Sequence, residues 1–446
     1  MISERKLSPL LAACLAALVL SVVPASGDSG YVAPREEIPL TTPLTTGARS
    51  LGMGGVAVAV ADDATAVTVN PAGLARLQRI EVSAGFSRSS TDATGEMAGS
   101  AFESSISHTD LSSLRVAYPF PTFRGSLVIG LSSERVFDFT VDRLAQYEGV
   151  VSWIEPGDDE ASSGDWKQFE DYLSDGGVYA WSGAVAVDLS PSMAAGVTLS
   201  YYTGEYSRAF RWDLEDVNGL SEAYDEVRYV EESTADVTGL GATLGAIYYA
   251  SDQLSFGLAI DTPVTLTFEG TLSEYTSLEP PDTSRRHLRE DPVLFSDEIT
   301  LPFAVRAGVS YSPTDLLLLG ADVSYTDWSE LDYAGPLTVT VEDGGTPVRR
   351  SLYEESVGYA VGVELLVPSW PLRLRGGYSS RPLAYQGLTI DSDRSCFTLG
   401  AGLLIDTVLA LDVAWVKGAY DRSDEEYAFA ESVADEALVL EATYRF

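Results

Sequence analysis

The chain has 446 residues, 45% of them apolar, with 66 acidic side chains against 28 basic ones and a net charge of −38. That balance argues against nucleic acid and anionic lipid headgroups as partners, and the apolar content excludes disorder as the main state. Beyond the N-terminus no apolar run approaches the ~20 residues of a transmembrane helix, which excludes a helical membrane protein but not a β-barrel.

The first segment reads as an export address. Arg5 and Lys6 precede an apolar run, Leu10 to Val23, that is too short to span a bilayer and ends in small residues. Residues 1–27 are therefore expected to be a signal peptide, cleaved after Ala25 or Gly27. Leu11-Ala12-Ala13-Cys14 imitates a lipoprotein box, but cleavage there would leave an apolar stretch on the mature chain. With Cys14 discarded, Cys396 is the one remaining cysteine, and no intramolecular disulfide is possible.

Residues 28–79 hold the least typical stretch, GARSLGMGGVAVAVADDATAVTVNPAGLA at 47–75. Gly52, Gly54 and Gly55 suit positive φ or close backbone approach. Asp62 and Asp63 suit the cap of a helical turn, and Asn70-Pro71-Ala72 breaks what precedes it. Gly52-x-Gly54-x-x-Ala57 partly matches a dinucleotide fingerprint, but no strand precedes it and a β-branched run follows, so the context fails. A segment so rich in small residues cannot build its own core and must pack inside something larger.

From residue 80 to 446 the pattern is of strands. Fourteen segments show strand composition with mostly period-2 alternation: 80–90, 111–118, 124–141, 178–190, 193–211, 234–249, 253–268, 298–312, 316–331, 356–367, 371–380, 394–405, 408–420 and 436–446. Six short turns alternate with seven long loops, the pattern of an outer-membrane barrel with an even strand count. The expected fold is all-β: a 14-stranded antiparallel transmembrane β-barrel with an N-terminal hatch in its lumen.

The strand faces agree. Leu317, Leu319, Ala321, Val323 and Tyr325 alternate with Gly320, Asp322, Ser324 and Thr326. A charged Arg or Lys on the lipid face at mid-bilayer costs ~2–4 kcal/mol. Arg115, Arg306, Asp322, Glu364, Arg373, Arg375, Asp412 and Glu441 are therefore expected to face inward. Gly239, Gly241 and Gly245 share one face and make room for the hatch or a ligand. Arg373, Arg375 and Arg306 are candidate contacts for a ligand carboxylate; the alternative for Arg373 and Arg375 is pairing with Glu364, Asp322 or hatch acids.

The long loops are acidic. Residues 144–177, with their EPGDDE run, read either as a solvated surface or as carboxylates for divalent cations at the lipopolysaccharide face, without fixed ligand spacing. No Cys/His metal spacing exists, and His108 and His287 lie in no catalytic motif. No enzyme, metal site or cofactor is expected.

The Asn70-Pro71-Ala72 segment and LPFAVRAGVSYSPTDLLLLGADVSYTDWSEL (301–331) resemble the FadL family of outer-membrane transporters. The resemblance implies passive transport of long-chain fatty acids or aromatic hydrocarbons, a lumenal hatch, and sideways release beside a kinked third strand. Ser132, Ser133 and Glu134, with Arg135, interrupt the alternation there and are the candidate gap, or else the end of the spanning segment. The C-terminal strand, with Tyr444 and Phe446, is similar to the signal read by the outer-membrane barrel assembly machinery. The implied partners are thus a hydrophobic small molecule, outer-membrane lipid and lipopolysaccharide, and that machinery. The wording of 47–63 is closer to a sister group that includes shuttle and scaffold barrels of type IX secretion. The alternative function is therefore a barrel that docks exported proteins.

Overall fold

The computed structural model describes residues 47–97, 99–154, 161–217, 225–279, 286–289, 291–333, 338–343, 346–351, 353–385, 389–424 and 429–446. The expected signal peptide, the first part of the hatch segment and the EPGDDE run lie outside these residues.

Fourteen staves form the wall. The first six are β1 (Glu81–Met97), β2 (Ser100–Phe120), β3 (Leu127–Asp138), β4 (Ala161–Ser190), β5 (Met193–Asp216) and β6 (Glu226–Tyr249). Two interrupted staves follow: β7 (Leu254–Asp261 with Val264–Glu279) and β8 (Val293–Leu301 with Ala304–Thr314). The rest are β9 (Leu317–Asp327), β10 (Glu355–Leu366), β11 (Leu372–Arg381), β12 (Thr389–Ile405), β13 (Leu409–Asp424) and β14 (Phe429–Arg445). Neighbours pair antiparallel throughout, and β14 closes on β1 with Tyr444 opposite Val82 and Phe429 opposite Met97. Closure removes every open edge, which hydrocarbon requires because it cannot satisfy backbone polar groups.

All six expected short turns are present at one end of the barrel. At the other end the staves run on much further than the alternation indicates. The stretch expected as a long loop at 144–177 is mostly a hairpin, in which Val141–Ile154 folds back along β4 from Ser174 to Ala161. In these extensions no hydrocarbon faces the wall, and the side chains that are buried, such as Trp166, Leu214, Val227 and Leu278, stand among polar neighbours in sequence, so the apolar alternation fades.

Burial separates the faces as expected. Leu131, Leu199, Leu240 and Leu440 point outward and are 50–72% exposed, which in a bilayer is contact with lipid. Every charged side chain assigned inward sits inside. Arg115 is 1% exposed, and Glu364, Arg375 and Glu441 are 6–7% exposed.

Candidate functional site

The lumen is plugged by residues 47–80. Two short helices, α1 (Ala48–Gly52) and α2 (Ala66–Val69), are followed by a 3-10 turn over Pro71–Arg76. Asn70 is fully buried and organises the segment. Its Nδ2 donates to the Val58 carbonyl at 2.7 Å and, at 3.3 Å, to that of Ala246 on β6, while its Oδ1 accepts from Ala72 N–H and caps the 3-10 turn. Asp63 accepts from the Thr65 amide and hydroxyl. Asp62 caps nothing; its carboxylate takes a 2.5 Å contact from Arg49.

The wall receives the hatch on glycine. A Cβ on Gly245 would lie 2.2 Å from Asn70 Oδ1, one on Gly257 2.3 Å from the Val58 carbonyl, and one on Gly362 2.2 Å from the Met53 carbonyl. Gly54 adopts φ +77° where Tyr378 and Val361 crowd its backbone, and Gly52 lies against Gly400. Gly239 and Gly241, expected to share the same role as Gly245, instead meet wall side chains, Leu266 and Val264. Polar ties complete the seat. Asp322 Oδ2 accepts from Ala57 and Val58 N–H, Thr398 Oγ1 accepts from Gly54 N–H and donates to Gly52 C=O, and Thr198 donates to Val67 C=O.

On the long-loop side of this plug lies an apolar cluster. Phe139, Val178, Val237, Val264, Leu266, Phe268, Ile299 and Leu301 are buried together, flanked by Tyr206, Trp328 and Leu331. Phe139 follows β3, yet its ring sits 6.2 Å from that of Phe268 on β7, and both pack against Tyr206 on β5. Side chains separated by three intervening staves meet only across the lumen. The apolar character of the outer face is explained by lipid; on the inner face it requires another reason.

Two of the wall's irregularities lie beside the apolar cluster. Ser132, Ser133 and Glu134 keep ladder partners on both β2 and β4. The break comes one residue later: pairing with β2 ends at Glu134, and the register against β4 slips between Arg135 and Phe137. The second irregularity involves staves β7 and β8. The pairs Asp261–Ala304 and Val264–Leu301 keep one register, which sets Pro263 opposite Pro302. Thr262 N–H donates toward β6, so at the next residue the missing N–H is on the β8 side, where Pro302 has none either. Val264 and Leu301, beside this seam, belong to the apolar cluster.

The sequence family described as "Outer membrane protein transport protein (OMPP1/FadL/TodX)" matches residues 176–441. The chain belongs to this family. No curated protein matches it. Among solved structures, a Pseudomonas aeruginosa FadL homologue is 15% identical over 91% of this chain and 99% of that one, with a TM-score of 0.63. The P. putida toluene transporter TodX is 13% identical over 92% and 99%, with a TM-score of 0.61. The Ralstonia pickettii toluene transporter TbuX is 17% identical over 90% and 98%, with a TM-score of 0.54. At these identities the likeness carries the fold. Family membership places the barrel in the outer membrane, with its short turns facing the periplasm and its long strands outside.

In this family member the candidate ligand arginines stand in ion pairs. Arg375 contacts Glu364 at 2.7 Å and Asp412 at 2.5 Å, Arg373 reaches Glu364 at 3.3 Å, and Arg306 meets Asp261 at 2.9 Å. Glu364 also holds Arg49 of the hatch at 3.0 Å. Glu134 is bound to Arg115 at 2.6 Å and accepts from Thr68 of the hatch. Tyr444 and Phe446 lie on the outer face with their rings 4.7 Å apart. Sequence reasoning missed the apolar cluster, whose members fall near the ends of segments read as strands, and the proline seam, although both prolines were visible.

Proposed function

We propose that the chain is a passive outer-membrane channel for hydrophobic small molecules, in which the apolar cluster above the hatch receives the cargo. The carrying observation is the meeting of Phe139, Tyr206 and Phe268 across the lumen. A barrel interior open to water is polar, and an inward apolar surface suits a ligand that water excludes. The solved relatives named as toluene transporters support this reading. Release is sideways into the bilayer at one of the two wall irregularities, the parting of β2 from β3 above Glu134 or the proline seam.

Leu266→Asp tests the cargo site. An uncompensated carboxylate there should cut uptake of both a radiolabelled fatty acid and toluene by roughly tenfold or more, since one charge in an apolar site costs several kcal/mol. The assay uses cells lacking their own transporter, with surface level matched by outer-membrane blotting. Unchanged uptake of both would sink the reading and favour the protein-docking barrel.

A further inference from the structure

The proline seam is more than a missing pair of hydrogen bonds. On β7 the inward side chains include Ala259 and Asp261 on the periplasmic side of the seam, and Val264 and Leu266 on its outer side. On β8 they include Ser310 and Arg306 on the periplasmic side, and Leu301 and Ile299 on the outer side. The alternation therefore changes phase on both staves at the same level, from odd to even on one and from even to odd on the other. Each stave spends an extra residue there, as at a β-bulge. Because the two insertions face each other, the register is the same on either side of them. The pairs Thr262–Phe303 and Pro263–Pro302 fall outside the ladder.

Elsewhere in the wall, parting two staves strands N–H and C=O groups that hydrocarbon cannot satisfy. At the seam neither proline has an N–H to lose. Thr262 is anchored on its other side: its N–H donates to the Ala242 carbonyl at 2.9 Å, and its hydroxyl accepts from Ala242 N–H at 3.0 Å, both on β6. Inside the seam stand Val264 and Leu301, which belong to the apolar cluster. Outside, it lies between lipid-facing Ile260 and the polar pair Thr265 and Thr300, whose exposed hydroxyls are 2.9 Å apart. That change from apolar to polar on the outer face places the seam at the outer edge of the hydrocarbon.

The other irregularity is charged. Where β3 parts from β2, Arg135 meets Asp110 at 2.6 Å and Asp138 at 3.1 Å, and Asp138 meets His108 at 2.7 Å. These four, with Ser87 and Ser89, line a small polar cavity. Ser104 of β2 donates to the Asp142 carbonyl of the returning Val141–Ile154 strand. A hydrocarbon passing there would have to desolvate charged groups. We infer that cargo leaves through the proline seam between β7 and β8, and that the parting of β2 from β3 is not an exit. This rests on the transport reading above and fixes where the route meets the bilayer.

The test staples each irregularity shut with cysteines on facing residues. Thr265→Cys with Thr300→Cys spans β7 and β8, and Leu114→Cys with Ser133→Cys spans β2 and β3. Cys396 is buried on β12 and competes with neither pair. Uptake of radiolabelled toluene and laurate is measured in cells lacking their own transporter, before oxidation, after it, and again after dithiothreitol. Heat-modifiable migration shows that each variant is folded, and loss of the introduced thiols shows that each staple has closed. The seam staple should cut uptake about tenfold or more, dithiothreitol should restore it, and the β2–β3 staple should leave it unchanged. A block by the β2–β3 staple alone moves the exit to that parting and overturns the inference. So does a block by both staples or by neither. Each of these results leaves the transport reading standing. Failure of the wild type to take up either probe overturns the transport reading and this inference with it.

Discussion

Replacing Arg115 with methionine should destabilise the barrel by about 3–5 kcal/mol, the scale of breaking a buried ion pair from one side. The Arg115 side chain is fully enclosed, with Nε 2.6 Å from Glu134 and Nη1 2.6 Å from Glu441. The three residues come from β2, β3 and β14, so the guanidinium ties the closing seam to its neighbour. Glu441 also accepts from Ala48 N–H at the head of the hatch, and Glu134 accepts from Thr68 near its middle. Without Arg115, two carboxylates remain face to face in the lumen. The loss should appear as a lower midpoint in urea titrations of the detergent-solubilised protein, read by heat-modifiable migration. Neutralising both partners as well, in Arg115→Met with Glu134→Gln and Glu441→Gln, should recover much of it, because the cost lies in stranded charge. A single variant as stable as wild type would show that the network contributes nothing net.

The second large effect is expected at Gly257. A methyl group there would sit 2.3 Å from the Val58 carbonyl oxygen and 2.7 Å from its carbon, both backbone atoms that cannot rotate away. Gly257→Ala should therefore unseat the Val56–Ala59 run at a cost of ~1–3 kcal/mol, the usual range for overpacking. The wall ladder does not depend on the hatch, so the barrel should still close. The measurable result is a hatch open to protease from the periplasmic side, with increased leak of bulky hydrophilic antibiotics into cells. Gly376→Ala is the control, since its added Cβ meets nothing nearer than 3.9 Å. Equal leak and equal protection in the two variants would mean that the glycine contact does not hold the plug.

The lipid bilayer explains why so much of the wall could be read from sequence. Hydrocarbon imposes alternation on every residue that crosses it, which is why Leu319 and Val323 separate from Asp322 and Ser324 on inspection. The same reasoning fails where the bilayer ends. β1 continues to Met97 and β4 begins at Ala161 with mixed polarity on both faces, and those extensions read as loops. The hatch was legible as a plug because its small residues have no core of their own. Its partners were not: that Asp322 receives Ala57 and Val58, or that Glu364 receives Arg49, depends on stagger between staves far apart in sequence.

The amide of Ala48 and the carboxylate of Glu441 are 393 residues apart in the chain and 2.8 Å apart in space. The hatch is made first, yet its partners on β12 and β14 are among the last residues to be synthesised. Until the final stave docks against the first, α1 lacks the carboxylate that receives its leading amide, and the closing strands lack the segment that fills the space behind their glycines. The seat of the hatch is thus complete only once the last stave is in place, although the wall closes through its own ladder.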